Sequence, residues 1–518
     1  MLKKLLRAAA GFVVGLALLV AALLVWPLPE MPRQGVAGDF LIRNVAIVDV
    51  EAGVLRDDQN VVVLDGRIAS VGSAETAQVQ ESLVVIDGIG KYLMPGLWDM
   101  HTHSLKVSSH YHHPLFIANG VTGVREMYGC MAEPDSFLAC LDDLQRWNNA
   151  LRDKSGLSPR YVLRSSFQIN GGDGVPDRMP EFFKARDPQE ARELVTFYAE
   201  AGVDSLKTYS NLLPAAYRAL ADAAREHGIM LAGHRPVRVS LEEMLAAGQD
   251  SIEHPRLFLF ECYKDAAAYR ALPDPLGAYT TEMRARFIDE HDAERCASLM
   301  DAMAKSDTWW TPTMLVLKMS AFAGDQTFRD DPRRKYIPYV FEKAMWMPDA
   351  DRAAANATDE SGRNVDASMY ETALRHVGQA HTAGIRILAG TDAGDTYVFP
   401  GFSIHDELVE LVSAGLTPAD ALRSATIDAA LFSGKETDFG SIDVGKVADM
   451  ILLNADPLAD IRNTQQIGGL FFNGQYFDRA ALDGLLEFAE QQASSIRTNL
   501  HLLWDAVNSP IVRMQLAD

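Results

Sequence analysis

"LMPGLWDMHTH", Leu93 to His103, is the stretch on which the reading of this chain turns. An apolar run broken by Pro95 and Gly96 ends in two histidines two positions apart. Alternate residues of an extended strand face one side, so His101 and His103 leave the strand end together. That suits a shared metal ion, yet two histidines falling close by chance is the plain alternative. The decision rests on whether other segments bring polar groups to the same place.

Seven further stretches read as strands: "GVTGVREM" (120–127), "RYVLRSSFQI" (160–169), "VDSLKTYS" (203–210), "IMLAGHRP" (229–236), "QDSIEHP" (249–255), "WWTPTMLVL" (309–317) and "IRILAGTDAG" (385–394). Helical stretches such as "EARELVTFYAEAG" (190–202) lie between them. This alternation predicts an α/β chain whose residues 93–439 close into a (β/α)8 TIM barrel. Barrel active sites lie at the C-terminal strand ends. There His101 and His103 end the first strand, Lys207 the fourth, His234 the fifth, His254 the sixth and Asp392 the eighth. Singly, each has a bland reading: a hydrogen-bonded histidine, a solvated lysine, a turn aspartate. Six such groups on one rim point jointly to a metal site.

Outside the barrel, "NVVVLDGRIASVG" (60–72) and "IGGLFFNGQYFD" (467–478) share a texture of short strands and Asn-Gly or Asp-Gly turns. Residues 35–92 and 440–485 are therefore expected to build one small β-sandwich domain, followed by a helical extension over 486–518. The segments 258–306 and 321–375 are longer than connecting helices need and are expected as helical insertions over the barrel mouth.

The 518 residues carry 48 basic and 70 acidic side chains, a net charge of −22, which argues against a nucleic-acid surface. Residues 1–34 read as a membrane anchor or signal segment with its linker: Lys3, Lys4 and Arg7 precede an uncharged run from Ala8 to Trp26. Two readings follow: an inner-membrane anchor with a periplasmic catalytic body, or a cleaved signal and a periplasmic or secreted one. Cys130, Cys140, Cys262 and Cys296 have neither zinc-ribbon spacing nor the look of a disulfide framework. In an exported body Cys130 and Cys140 can pair or stay as buried thiols.

"LMPGLWDMHTH", "GVTGVRE", "DSLKTY", "GH" before Arg235, "SIEH", "GTDAG" and the tail "GLTPADALRSATIDAALFSGKETDFGSIDVGKVADMILLNADPL" occur in this order across residues 40–480. In these the chain resembles the amidohydrolase superfamily, in particular its imidazolonepropionase-like and metal-dependent Xaa-Pro dipeptidase branch. It departs from the pattern in the "RP" after His234 and in the length of the segment before "GTDAG".

The resemblance implies a divalent metal centre of two ions, zinc by ligand type. His101, His103 and Asp392 are assigned to one ion and His234 and His254 to the other. Lys207, carboxylated by carbon dioxide, joins them. It implies hydrolysis of an amide bond in a small dipeptide-like or N-acyl amino acid substrate, with Asp392 shuttling the proton. A mononuclear deaminase or cyclic-amide hydrolase of the same barrel is the alternative. Tyr209 either donates to the oxyanion or packs under a loop. His405, with Glu407 as helix scaffolding, is a candidate to support Asp392, and Arg235 and Arg256 are candidates to bind a substrate carboxylate unless rim acids take them. His110, His112 and His113, just beyond the first strand, are expected in a surface loop, with lining of the pocket as the alternative, and His227, His291, His376, His381 and His501 are given no role. The oligomeric state is left open, a homo-oligomer included.

Overall fold

The computed structural model describes residues 2–73, 83–130, 135–171 and 184–515. Seven parallel strands, labelled β1 to β7 here, form the barrel wall: Leu97–Thr102, Val121–Cys130, Arg160–Ile169, Ser205–Thr208, Met230–Gly233, Ser251–Glu253 and Trp309–Thr311. The eighth expected strand is present as a stave rather than a regular ladder. Leu388 N donates to the Trp310 carbonyl (2.9 Å), Met100 N to Ala389 (3.0 Å) and Asp392 N to His101 (2.9 Å), so residues 386–393 close the gap between β7 and β1. Asp392 has φ 68° and Gly394 φ 113°, and this left-handed backbone breaks the pairing where the chain turns toward the rim.

The outer helices follow from their sequences. In Pro188–Ala201 the Asp187 side chain accepts from Gln189 N and Glu190 N, Gly202 ends the helix at φ 80°, and Ala191, Leu194, Val195 and Tyr198 form its buried stripe.

Both chain ends build the second unit. Six N-terminal strands between Val36 and Pro95 join Met450–Leu453, Ile467–Phe472 and Gln475–Asp478 in one curled nine-stranded sheet. The seam pairs Met450 with Pro95 and Leu453 with Tyr92, antiparallel. Phe40, Val45, Val61, Leu93, Met450 and Phe471 share one core, so neither half buries its apolar face alone. The "NG" turn is Asn473 and Gly474, at φ 51° and 73°, joining the last two strands as a tight hairpin. Three helices follow: Arg479–Ser494, Ile496–Asn508 and Pro510–Gln515.

Helix Leu2–Val25 contains one span, Lys4–Val25, long and apolar enough to cross a membrane. It packs against Ile496–Asn508, where the Arg497 guanidinium donates to the Trp26 carbonyl (3.0 Å) and to that of Pro27.

The cysteines correct the sequence reading. Cys262 and Cys296 form a disulfide across a separation of 34 residues, because helix Ala293–Ala304 packs on helix Leu257–Glu261. Cys140 is also disulfide-bonded. The side chain of Cys130 lies outside the described residues.

Candidate metal centre

His101 and His103 sit at the end of β1, Lys207 in β4, His234 and His254 just past β5 and β6, and Asp392 on the closing stave. All six reach one end of the barrel. One nitrogen or oxygen each from His101, His254 and Asp392 lies within 4.8 Å of the others. Asp392 Oδ1 is 2.6 Å from His103 Nε2 and 3.5 Å from His101 Nε2; its Oδ2 is 3.6 Å from His254 Nδ1. His254 Nε2 in turn faces His234 Nε2 at 2.9 Å. Lys207 is 2 % exposed and lies among Asp392, Glu253, Glu126 and Arg125.

The electrostatics match a cation site. Burial keeps His254 neutral, with a pKa lowered to about 3, and pushes His234 well below its ordinary value. Burial raises the Asp392 carboxyl, but His101 and His103 outweigh it and hold it well below the usual carboxylate range. Burial brings Lys207 down to about 8. Asp395, on the same rim, is pushed up to about 7 by burial and then by Asp392.

The donor set fits a divalent ion. His101 is fully buried and its Nε2 has no hydrogen-bond partner, a costly arrangement unless a cation takes the lone pair. The Nε2 atoms of His234 and His254 also converge, 2.9 Å apart, so one divalent ion between them would take both lone pairs in place of the hydrogen bond they share. Two of these candidate positions also carry left-handed backbone, His254 at φ 77° and Asp392 at φ 68°, strain of the kind that concentrates at functional sites.

Sequence reasoning missed the residues behind the candidate ligands. Glu253 Oε2 holds His101 Nδ1 at 2.9 Å and Arg125 Nη2 at 2.8 Å, all three side chains fully buried. Asp99 accepts from Thr391 Oγ1 (2.6 Å) and from the Thr391 and His101 amides, tying β1 to the closing stave. "SIEH" and "GVTGVRE" contained Glu253 and Arg125, but a charged residue inside a short strand reads as solvent-facing until the barrel turns it inward.

The remaining candidates separate. Tyr209 packs against His234 with ring centroids 4.2 Å apart and the planes tilted by 42°, and it lines the cavity above the centre. Arg235 lines it too but is engaged, 3.0 Å from Glu261 Oε1 and over the Phe260 ring at 4.4 Å. Arg256 also lines it, and its buried Nε has no hydrogen-bond partner. His405 does not face Asp392. Its Nδ1 meets Thr464 Oγ1 at 2.9 Å and its Nε2 the Asn119 carbonyl at 3.0 Å, so it ties helix Phe402–Ser413 to the barrel base instead. Glu407 accepts from the amides of Met314 and Leu315, the helix scaffolding expected of it. His112 and His113 are buried in helix His112–Ala118, not a surface loop, because apolar neighbours on all sides draw that segment inward; His112 lines the cavity.

The profile of the amidohydrolase family matches residues 189–476, more than half of the chain. The chain belongs to the amidohydrolase family. L-hydantoinase of Paenarthrobacter aurescens is 30 % identical over 158 residues, which span 29 % of this chain and 30 % of that enzyme. Adenine deaminase 3 of Rhizobium meliloti (strain 1021) is 34 % identical over 65 residues, 12 % of this chain and 11 % of that one. The amidohydrolase thus spans less than a third of the length of these curated relatives. Among solved structures, bottromycin amidohydrolase superposes with a TM-score of 0.65 at 21 % identity, covering 89 % of this chain and 92 % of that one. A Xaa-Pro dipeptidase with bound methionine gives 0.60 at 19 %, covering 85 % and 100 %. Both show the fold.

Proposed function

We propose that this amidohydrolase hydrolyses the amide bond of a small peptide-like or N-acyl amino acid substrate at a centre of two divalent ions. The convergence of His101, His103, Lys207, His234, His254 and Asp392 on one end of the barrel carries this reading.

A divalent ion held by these donors supplies acidified water and a polarised carbonyl. Asp392, anionic and within reach of His101, His103 and His254, accepts the proton as water adds to the carbonyl and delivers it to the leaving amine. Buried Lys207 joins the site as an anion: its amine attacks carbon dioxide, a nitrogen-carbon bond forms and a proton leaves, giving a carbamate among the histidines. Tyr209, two positions on and beside His234, is placed to donate to the oxyanion. Arg256, whose buried Nε has no hydrogen-bond partner although Tyr279 and Asp366 lie beside its guanidinium, receives a substrate carboxylate, whereas Glu261 directly pairs with Arg235.

One observation favours a second reading. Among the described histidines and acids of this rim, His101, His254 and Asp392 bring donor atoms within 4.8 Å of one another, which suits a single ion and the mononuclear deaminase or cyclic-amide alternative, in line with the hydantoinase and adenine deaminase among the relatives. Metal content per chain, measured after purification with zinc and bicarbonate, separates the two. Two ions support the proposal, and one supports the alternative. The apolar span Lys4–Val25 supports an exported body held at the inner membrane, tested by whether carbonate wash leaves the full chain in the membrane fraction.

A further inference from the structure

The cavity above the centre is far larger than a dipeptide needs. It measures about 870 Å³, toward the upper end of small-molecule sites, and its deep end holds Lys207, His234, His254 and Asp392. Its outer end is apolar. Phe341 and Met345 come from the insertion before the closing stave, and Leu502, Leu503, Val507 and Val512 from the last helices. Soluble pockets usually end at a polar rim. Here the rim stays apolar: Leu503, Val507 and Met345 line the cavity and are also 47 %, 58 % and 47 % exposed, with Trp504 (56 %) and Tyr339 (62 %) beside them.

The same helix, Ile496–Asn508, is the one that packs on the membrane-length helix, with Arg497 bonded to the carbonyls of Trp26 and Pro27 where that helix ends. The apolar mouth therefore belongs to the element fixed at the level where the chain would leave a bilayer. An exposed apolar rim, a cavity running from it to the centre, and an anchor at the rim's own helix have one common occupant.

We propose that the mouth sits in the outer leaflet of a bilayer and that the substrate is a long-chain N-acyl amino acid, drawn amide end first from the membrane into the cavity with its acyl chain trailing. This rests on the hydrolase reading above. Water adds to the acyl carbonyl, the carbon-nitrogen bond breaks and the amine takes the proton, releasing a fatty carboxylate and a free amino acid. The acyl chain fills the apolar outer cavity, and the amide lies at the centre.

The full chain, reconstituted in phosphatidylcholine nanodiscs with zinc and bicarbonate, is given N-lauroyl-alanine or N-acetyl-alanine. We expect kcat/KM at least about 100-fold higher for the lauroyl substrate, the gain from burying roughly four methylenes. In the Leu503→Asp, Val507→Asp double variant the ratio should fall toward one. Equal rates on both substrates in the unaltered chain would overturn the acyl-cavity proposal while keeping the hydrolase. A second measurement is independent of turnover: the metal-stripped chain is irradiated with N-acyl-alanine bearing a terminal diazirine, and labelled peptides are mapped. Label on residues 339–345 and 502–512 supports the proposal even if no hydrolysis occurs, which would then count against the hydrolase reading alone. Label confined to Lys4–Val25 overturns it.

Discussion

Glu253 Oε2 and His101 Nδ1 lie 2.9 Å apart in a space closed to solvent, so the carboxylate fixes the imidazole with Nε2 turned to the centre. A carboxylate behind a histidine sets its tautomer and raises its basicity as a ligand. Glu253→Gln is expected to weaken metal binding by about 10–100-fold, read by competition with a chelator of known affinity. It also leaves Arg125 buried without its counter-charge, at a cost of about 3–5 kcal/mol in unfolding free energy. Adding Arg125→Met should restore much of that stability and none of the metal affinity. Equal recovery of both would show that Glu253 serves only the fold.

Lys207→Ala is expected to lower turnover by roughly 1,000-fold or more, the scale of losing a preorganised electrostatic group, with the circular dichroism spectrum unchanged. If the working group is a carbamate, added formate or propionate should restore part of the activity by entering the vacated space. Unchanged turnover in the variant would remove Lys207 from the mechanism.

Arg256→Met should raise KM for substrates with a free carboxylate by about tenfold or more and leave kcat and KM for the matching amide-capped substrates nearly as they were. Arg235→Met should act differently, because Glu261 loses one of its partners: we expect a lower unfolding midpoint with little dependence on the substrate's carboxylate.

His376 and His405 set an acid limit on stability. Burial holds them neutral, at about 3 and about 4, whereas unfolded imidazoles protonate near 6.5. Between those values the unfolded chain binds more protons, so their contribution is complete above about pH 6.5 and is lost as pH falls toward 4. Near pH 5 each adds about 1.4 kcal/mol per pH unit to the slope of unfolding free energy. Denaturant titrations at several pH values should show His405→Gln reducing that slope by about this amount. An unaltered slope would mean that His405 is protonated in the fold.

The Cys262–Cys296 disulfide closes a 34-residue separation and should contribute about 4 kcal/mol by restricting the unfolded chain. The Cys262→Ser, Cys296→Ser variant tests this by denaturant unfolding, and a loss below about 1 kcal/mol would assign the bridge no part in stability.

The placement of the candidate ligands on one rim was legible in the sequence because a strand end is a local feature. Period-two spacing puts His101 beside His103, and each later candidate closes a recognisable apolar run. What was not legible depends on which segments meet. Arg125 and Glu253 stand 128 positions apart and pair only after the barrel closes. Cys262 meets Cys296 through helix packing that no spacing rule encodes. His405 misled for the opposite reason: it lies close in sequence to Asp392, but the helix turns the imidazole toward Thr464 and Asn119. The eighth strand was found by its apolar run, yet Asp392 and Gly394 bend it out of a regular ladder.

The seam between Tyr92–Pro95 and Met450–Leu453 has a consequence for how the chain is made. The N-terminal strands emerge from the ribosome with a bare sheet edge, and the strand that covers it follows roughly 350 residues later. At about 5–20 residues per second that edge waits on the order of 20–70 s. During synthesis the barrel can begin to assemble while the first strands stand open to pairing with a neighbouring nascent chain, so a holding chaperone is needed most in that interval.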